Sequence, residues 1–285
     1  MSAHHDPGPP GIREFAYAKL NLVLHVGRPR PDGLHPLCSI FASLDLADEL
    51  HVRPSDTAED SVECDEVGGP NLAAAALVAF RSEVPSLPPL EVRIEKRIPV
   101  AAGLGGGSAD AAAAIRAANR LTGEPLEAGA LRAIAATIGS DVPSQVEPGH
   151  ALVAGAGELV DPIGLPPLAA VLVPQAEGLA TGEVYAQLDR MEGWREPLDP
   201  EAVRAALDSS PSSWEAAFEN DLQPAALAIR PDLASVIEGL RAAGALVARV
   251  SGSGPTCFGL FEDRRAADAT AEAIPGALVT SLRER

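Results

Sequence analysis

The stretch from Pro99 to Asp110 reads Pro-Val-Ala-Ala-Gly-Leu-Gly-Gly-Gly-Ser-Ala-Asp and runs without a break into a small-residue segment that ends at Leu121. Four of the five residues from Gly103 to Gly107 are glycine, with Leu104 between them. A strand does not hold glycines this densely, and the alanines that follow favour helix, so a loop must open directly onto a helix N-terminus. Without Cβ atoms such a loop can turn its N–H groups inward and approach a ligand closely. The helix start adds unpaired donors and partial positive charge, which together make an anion nest suited to phosphates. Ser108 is the expected N-cap of a helix over Ser108–Leu121, or a hydroxyl able to reach a phosphate or Mg²⁺. Asp110 suits the helix dipole but repels a phosphate unless it points away or holds a cation. Two better-known loops do not fit: no lysine ends the stretch as a Walker A loop requires, and Ser108 stands where a dinucleotide fingerprint needs its third glycine. A flexible linker capped by a helix remains the other reading of the same spacing.

Composition narrows the ligand. With 40 acidic residues against 22 basic ones the net charge is −18, and a body so negative repels nucleic acid and anionic membranes. A small anionic ligand held by backbone amides and a metal ion is still allowed. Cys38, Cys64 and Cys257 include no CxxC pair, and the six histidines show no HxxxH spacing. Neither a disulfide framework nor a zinc site is expected, and a reducing cytosol is. The opening residues lack a signal-peptide layout and no stretch reaches about 18 apolar residues, so a cytoplasmic protein is expected. Only Lys19 and Lys96 are lysine; every other basic residue is arginine. Two readings stand: positions where a compact ammonium is needed and a planar guanidinium does not fit, or chance survivors of a drift toward arginine.

At 285 residues the chain suits one large or two medium domains, given a prior of about 150 residues each. From Ala16 to Val26 it alternates like a strand, with Ala18, Leu20, Leu22, Leu24 and Val26 on one face and Lys19, Asn21, Val23 and His25 on the other. Arg28–Gly33 is a turn by its Pro, Asp and Gly content, and strands over Ser39–Leu46 and Leu50–Arg53 follow as parts of an antiparallel sheet. Asn71 caps an expected helix to Glu83, Leu90–Glu95 is a strand, and a helix covers Glu127–Ile138. Leu159–Pro167 reads as a domain junction, with strands over Ala169–Val173, Ala245–Val250 and Cys257–Phe261 beyond it. Helices and strands interleave without strict β-α-β order, which favours α+β over a doubly wound sheet.

Four blocks carry a resemblance: Ala18-Lys19-Leu20-Asn21-Leu22 with Asp32-Gly33-Leu34-His35, the glycine loop, Gly139-Ser140-Asp141-Val142-Pro143, and Val250-Ser251-Gly252-Ser253-Gly254-Pro255-Thr256-Cys257. In order and spacing they resemble the GHMP kinase superfamily over nearly the whole chain. The Lys-x-Asn strand and Asp-Gly-x-His turn are similar to those of members acting on a cytidine-diphosphate-linked methylerythritol in the non-mevalonate isoprenoid pathway. The resemblance implies a two-domain α+β kinase, a ribosomal-protein-S5-like domain over residues 12–163 and a ferredoxin-like domain over 164–285. It implies transfer of the γ-phosphate of ATP to the 2-hydroxyl of that substrate, with Mg²⁺, in a monomer or weak homodimer. Carried over by position, Asp141 is the catalytic carboxylate and Lys19 its cationic partner. Pro99, Val100, Ala101, Ala102, Gly103, Leu104, Gly105, Gly106, Gly107, Ser108 and Ala109 wrap ATP, with Ser108 reaching the metal through Mg-ATP. Asn71 and Lys96 fall at the adenine pocket. Asn21, His35 and Asp141 fall at the substrate, His35 near cytosine, and Gly252, Ser253 and Gly254 close the site from the second domain.

Read singly, these residues have plainer roles: Asp141 as a turn residue before Pro143, Lys19 as a solvated strand charge, His35 as a turn histidine, Lys96 with Arg97 as a solvated basic pair. The sequence also departs from the family pattern. Leu34 replaces the usual aromatic of the Asp-Gly-x-His turn, and Ser144-Gln145 replaces an apolar or aromatic pair. Stacking on a base is worth about 1–3 kcal/mol, so Tyr185 is the candidate to supply it instead. Two rivals are a kinase for a different alcohol and a catalytically silent relative.

Overall fold

The computed structural model describes residues 11–31, 33–64 and 71–284; Asp32 of the expected turn lies outside them. The first half holds β1 (Ile12–Val26), β2 (Leu37–Pro54), β3 (Ser61–Cys64), α1 (Leu72–Glu83), β4 (Leu90–Glu95), α2 (Gly106–Leu121), α3 (Ala128–Ala136), β5 (Ala151–Gly155) and β6 (Leu159–Pro162). The second half holds β7 (Ala169–Val173), α4 (Thr181–Arg190), α5 (Pro200–Ala206), α6 (Trp214–Ala217), α7 (Gln223–Ile229), α8 (Leu233–Ala242), β8 (Val247–Val250), β9 (Cys257–Phe261), α9 (Arg264–Glu272) and β10 (Leu278–Ser281). One sheet has six strands in the order β3-β4-β2-β5-β6, with β1 paired on β2; the other has four in the order β10-β7-β9-β8. Among the described residues only the strand pair β3–β4 runs parallel, beside the isolated parallel bridges Leu24–Asn220 and Gly27–Arg195. This is the α+β class expected. Among the described residues no helix is long and apolar enough to cross a membrane.

β1 departs from strict alternation where it matters. Its pairing with β2 shifts register between Tyr17 and Lys19 and again between Asn21 and Val23. Bulges of this kind re-aim side chains. After the second one the faces exchange: Val23 joins Leu20 and Leu22 in one core, while Leu24 and Val26 enter another with Phe41 and Val153. The expectation that Leu24 and Val26 share the face of Leu20 is corrected, because a one-residue slip moves every later side chain across the sheet. Likewise the two strands expected at Ser39–Leu46 and Leu50–Arg53 are one, β2: residues 47–49 between them pair in register with Tyr17, Ala16 and Phe15, and the irregularity opposite Ala18 falls before them, at residues 44–46.

α2 begins earlier than expected. Gly105, left-handed at φ 71°, is its N-cap, and Gly106 and Gly107 are already helical, so Ser108 lies in the first turn and caps nothing. The first ladder bond runs from Ala109 N–H to Gly105 O, 2.9 Å, leaving the N–H groups of Gly106, Gly107 and Ser108 without intrahelical acceptors. Beyond them the alanines bury the helix on several faces, from Ala109 to Ala118, against α1, β1 and β2. Asn71 does cap α1, accepting from Ala73 N–H at 2.8 Å. The expected junction at Leu159–Pro167 is corrected in part: Leu159–Pro162 is edge strand β6, and only residues 163–168 lead across to β7.

Candidate active site

A cavity of about 950 Å³ opens where β1, the glycine loop, the turn at Asp141, α4 and the loop after β8 meet. Lys19, Asn21, His35, Gly103, Gly105, Ser108, Asp141, Tyr185, Gly252 and Ser253 line it, ten of the expected residues brought together from both halves of the chain. Pro99 to Ala102, Leu104, Gly106, Gly107, Ala109, Asn71, Lys96 and Gly254 do not face this cavity.

At its centre Lys19 Nζ lies 3.1 Å from Asp141 Oδ2 and donates to Asn21 Oδ1 at 2.6 Å. The ammonium also sits 4.6 Å from the centre of the Phe41 ring, a cation–π contact. Asn21 is fixed in turn by donating from Nδ2 to Ser39 Oγ at 2.9 Å. Lys19 itself is buried, whereas the Asp141 side chain is 28% exposed and faces the cavity. Asp141 stands at the start of a 3₁₀ turn over Pro143–Gln145, where Ser144 Oγ donates to its carbonyl at 2.8 Å. Ser144 and Gln145 are buried and absent from the cavity wall, so this departure from the family pattern alters the packing under the turn and not the pocket.

The glycine loop is clamped from two sides. Lys19 N–H donates to Leu104 O at 2.9 Å, tying the loop to β1. Ser251 Oγ donates to Gly103 O at 3.2 Å, and a Cβ on Gly103 would meet Gly254 O at 2.7 Å. The loop after β8 is shaped by a residue the sequence reading passed over. Buried Asn220 donates from Nδ2 to Val250 O at 2.9 Å and Gly252 O at 2.8 Å, and accepts from Leu222 N–H at 3.0 Å. Ser253 pairs its hydroxyl with Thr181 at 3.0 Å.

Lys96 is not a solvated cation. Its ammonium donates to Asp48 Oδ2 at 2.6 Å and Asp110 Oδ2 at 2.8 Å, with all three side chains buried under the start of α2. Asp48 also accepts from the N–H groups of Arg97 at 2.6 Å and Ile98 at 2.8 Å. Burial pushes the Asp110 carboxyl up to about 7, with Lys96 pulling it down and Asp48 adding to the rise. Burial alone would lower Lys96, but Asp110 and Asp48 outweigh it and hold the ammonium above its usual value. Asp110 therefore turns away from the nest, the geometry that lets a phosphate approach. Tyr185 lies 5.1 Å from His35 between ring centres; burial first, then the charge of Asp141, pushes its phenol up to about 12. Among the described residues one histidine–carboxylate group forms elsewhere, Glu49, His51 and Glu95, but Arg13 at 2.7 Å and Arg97 at 3.1 Å already occupy Glu49.

Two family models match this chain: GHMP kinases N terminal domain over residues 71–150 and GHMP kinases C terminal over residues 197–279. A protein of Anaeromyxobacter dehalogenans named 4-diphosphocytidyl-2-C-methyl-D-erythritol kinase is 42% identical over 272 residues, 92% of this chain and 84% of that protein. One of the same name from Streptomyces avermitilis is 41% identical over 268 residues, 90% of each. The chain belongs to the GHMP kinase family. A crystal structure of 4-(cytidine 5'-diphospho)-2C-methyl-D-erythritol kinase superposes on this GHMP kinase with a TM-score of 0.81 at 34% identity, covering 96% of this chain and 100% of that one. Homoserine kinase of Cytophaga hutchinsonii, at TM-score 0.73 and 19% identity over 99% of this chain and 97% of its own, shares the fold. The two-domain α+β architecture of this GHMP kinase is thus the one its motifs implied. Asp48 and Asn220 are residues those motifs did not reveal; each acts on a partner at least 30 positions away, and only the polar type of the residue hinted at it.

Proposed function

We propose that this GHMP kinase transfers the γ-phosphoryl group of ATP to the 2-hydroxyl of 4-diphosphocytidyl-2-C-methyl-D-erythritol, giving the 2-phosphate and ADP. The names of its relatives supply the substrate, and the Lys19–Asp141 pair at 3.1 Å on a cavity wall facing the glycine loop carries the chemistry. The N–H groups that lack intrahelical acceptors at the start of α2 hold the polyphosphate at the positive end of the helix, Ser108 on the cavity wall and Gly106 and Gly107 beside it. Asp141 accepts the proton of the attacking hydroxyl; its oxygen bonds to the γ-phosphorus as the bond to the β–γ bridging oxygen breaks and ADP leaves. Phosphoryl transfer has a loose transition state, so positioning and charge stabilisation dominate. Lys19 orients the alcohol and stabilises negative charge on the transferring group.

The donor set suits Mg²⁺, which brings phosphate oxygens and water as most of its own ligands. The Ser108 hydroxyl, on the cavity wall at the start of α2, is the oxygen group that would hold it. When bound, the ion neutralises phosphate charge. Lys96 serves the nucleotide through the loop it anchors, and Asn71 through the start of α1 that it caps. The separate sheets support a division into residues 12–163 and 164–285. A cytoplasmic location and a monomer or weak homodimer belong to the same reading.

The test is ADP release from Mg-ATP with the cytidylyl substrate, and with mevalonate, homoserine and galactose as comparison alcohols. Turnover confined to the first is expected. Turnover with another alcohol alone would keep the Lys19–Asp141 chemistry and overturn the substrate. ATP binding without turnover on any would overturn the reaction.

A further inference from the structure

α4 presents Thr181, Tyr185 and Asp189 to the cavity at four-residue spacing, one above the other on a single face. Thr181 meets Ser253 of the loop after β8 at 3.0 Å. Asp189 lies two turns further on, about 12 Å along the axis at 1.5 Å per residue. The loop after β8, which clamps the glycine loop through Ser251, is therefore at one end of this wall and a carboxylate, 43% exposed, at the other.

An acidic side chain in the wall of a pocket for an anionic substrate weakens binding unless it meets a hydrogen-bond donor. Its neighbour fixes where that donor must sit. His35 Nδ1 lies 2.8 Å from Gly27 O, and a carbonyl only accepts, so Nδ1 carries a proton. Its other nitrogen, Nε2, stands 3.4 Å from Asp189 Oδ1 and holds that carboxylate at one point of the wall, beside the Tyr185 ring. A ligand N–H at that point meets an acceptor, and a carbonyl there would set a second acceptor against the carboxylate.

Resting on the substrate reading above, we propose that Asp189 is a specificity-determining residue that accepts a hydrogen bond from the exocyclic amine of the pyrimidine. Through it the enzyme takes cytidine and rejects uridine diphosphate esters. A hydrogen bond to a charged group, half-open to water as here, amounts to about tenfold to a hundredfold in affinity.

The experiment compares kcat/KM of the full chain, D189A and D189N on 4-diphosphocytidyl-2-C-methyl-D-erythritol and on its uridyl counterpart, with calorimetric Kd values for CDP and UDP. Wild type is expected to favour the cytidyl compound. D189A should shrink that preference by about tenfold or more through a higher KM for the cytidyl substrate and a weaker Kd for CDP. D189N should improve the uridyl substrate, because an amide can turn its NH₂ toward a carbonyl. The wild-type ratio retained in D189A, with Kd for CDP unmoved, would overturn the role of Asp189 alone. No wild-type turnover of the cytidyl compound would overturn the substrate reading, and this inference with it.

Discussion

Lys19 reaches Asp141 by passing over a residue that has no side chain: a Cβ on Gly105 would lie 3.0 Å from two carbons of the lysine stem. The pair so formed divides labour in a way that one substitution exposes. Asp141→Asn keeps the shape and removes the proton acceptor, so kcat should fall by about 10²–10⁴ while the Kd of ATP by calorimetry stays within several-fold. Asp110 does other work, closing the buried triad under the loop. Its carboxyl sits at about 7 against an ordinary 3.8, so between those values the folded chain binds more protons than the unfolded one. That contribution to stability is present at low pH and is lost as pH rises toward 7. The difference in thermal stability between wild type and Asp110→Asn should therefore shift against wild type from pH 4 to pH 7, and a pH-independent difference would contradict it. Lys19 and Asp141 stood out as catalytic only through the resemblance of their blocks to the family, and Ser108 through its place after the glycines; all three line the cavity. Asp48 and Asn220 did not stand out, because a buried polar group declares its role only through partners that folding supplies.

Among the elements, β1 is where sequence pattern and structure part. Its alternating residues foretell a strand, and the Lys19–Asn21 pair does face the cavity, but the register slip after Asn21 depends on what β2 offers opposite. Periodicity in one strand carries no information about that. The helix start was misjudged for a related reason: serine is the better cap in isolation, yet a glycine in left-handed conformation begins α2 and leaves three amides open. The loop ahead of it tolerates little change. Gly103 has φ 75°, where alanine costs about 1–2 kcal/mol, and its missing Cβ leaves room for Gly254 O. Gly103→Ala should push the two loops apart and cost roughly 10²-fold in kcat/KM for ATP, with the melting temperature lowered by only a few degrees. Equal kinetics in wild type and variant would mean that the loops do not need their close approach.

For the whole molecule, the two sheets are sewn together by segments from late in the chain. Leu24 N–H donates to Glu219 O at 2.8 Å and Asp221 N–H to Leu24 O at 2.9 Å, so the stretch before α7 lies along β1. After β10, Leu282 bridges Leu44, and Arg283 N–H donates to Ser43 O at 2.9 Å with its guanidinium 4.0 Å from the Tyr17 ring centre. The short β10 carried too weak a pattern to be read from sequence, and so this seam was invisible there. Leu282→Ala, which empties a buried position between the sheets, should cost about 2–5 kcal/mol by denaturant titration. Leu278→Ala, four residues earlier and exposed, should stay within about 0.5 kcal/mol. The same architecture leaves the protein with an unusual chemical face. Both of its lysines are enclosed, Lys19 in the cavity wall and Lys96 beneath the loop, so an amine-directed reagent finds no side chain on the outside. Coupling through lysine would label this kinase only when the cleft opens, and acylation of Lys19 becomes a clock for that opening which bound nucleotide should slow.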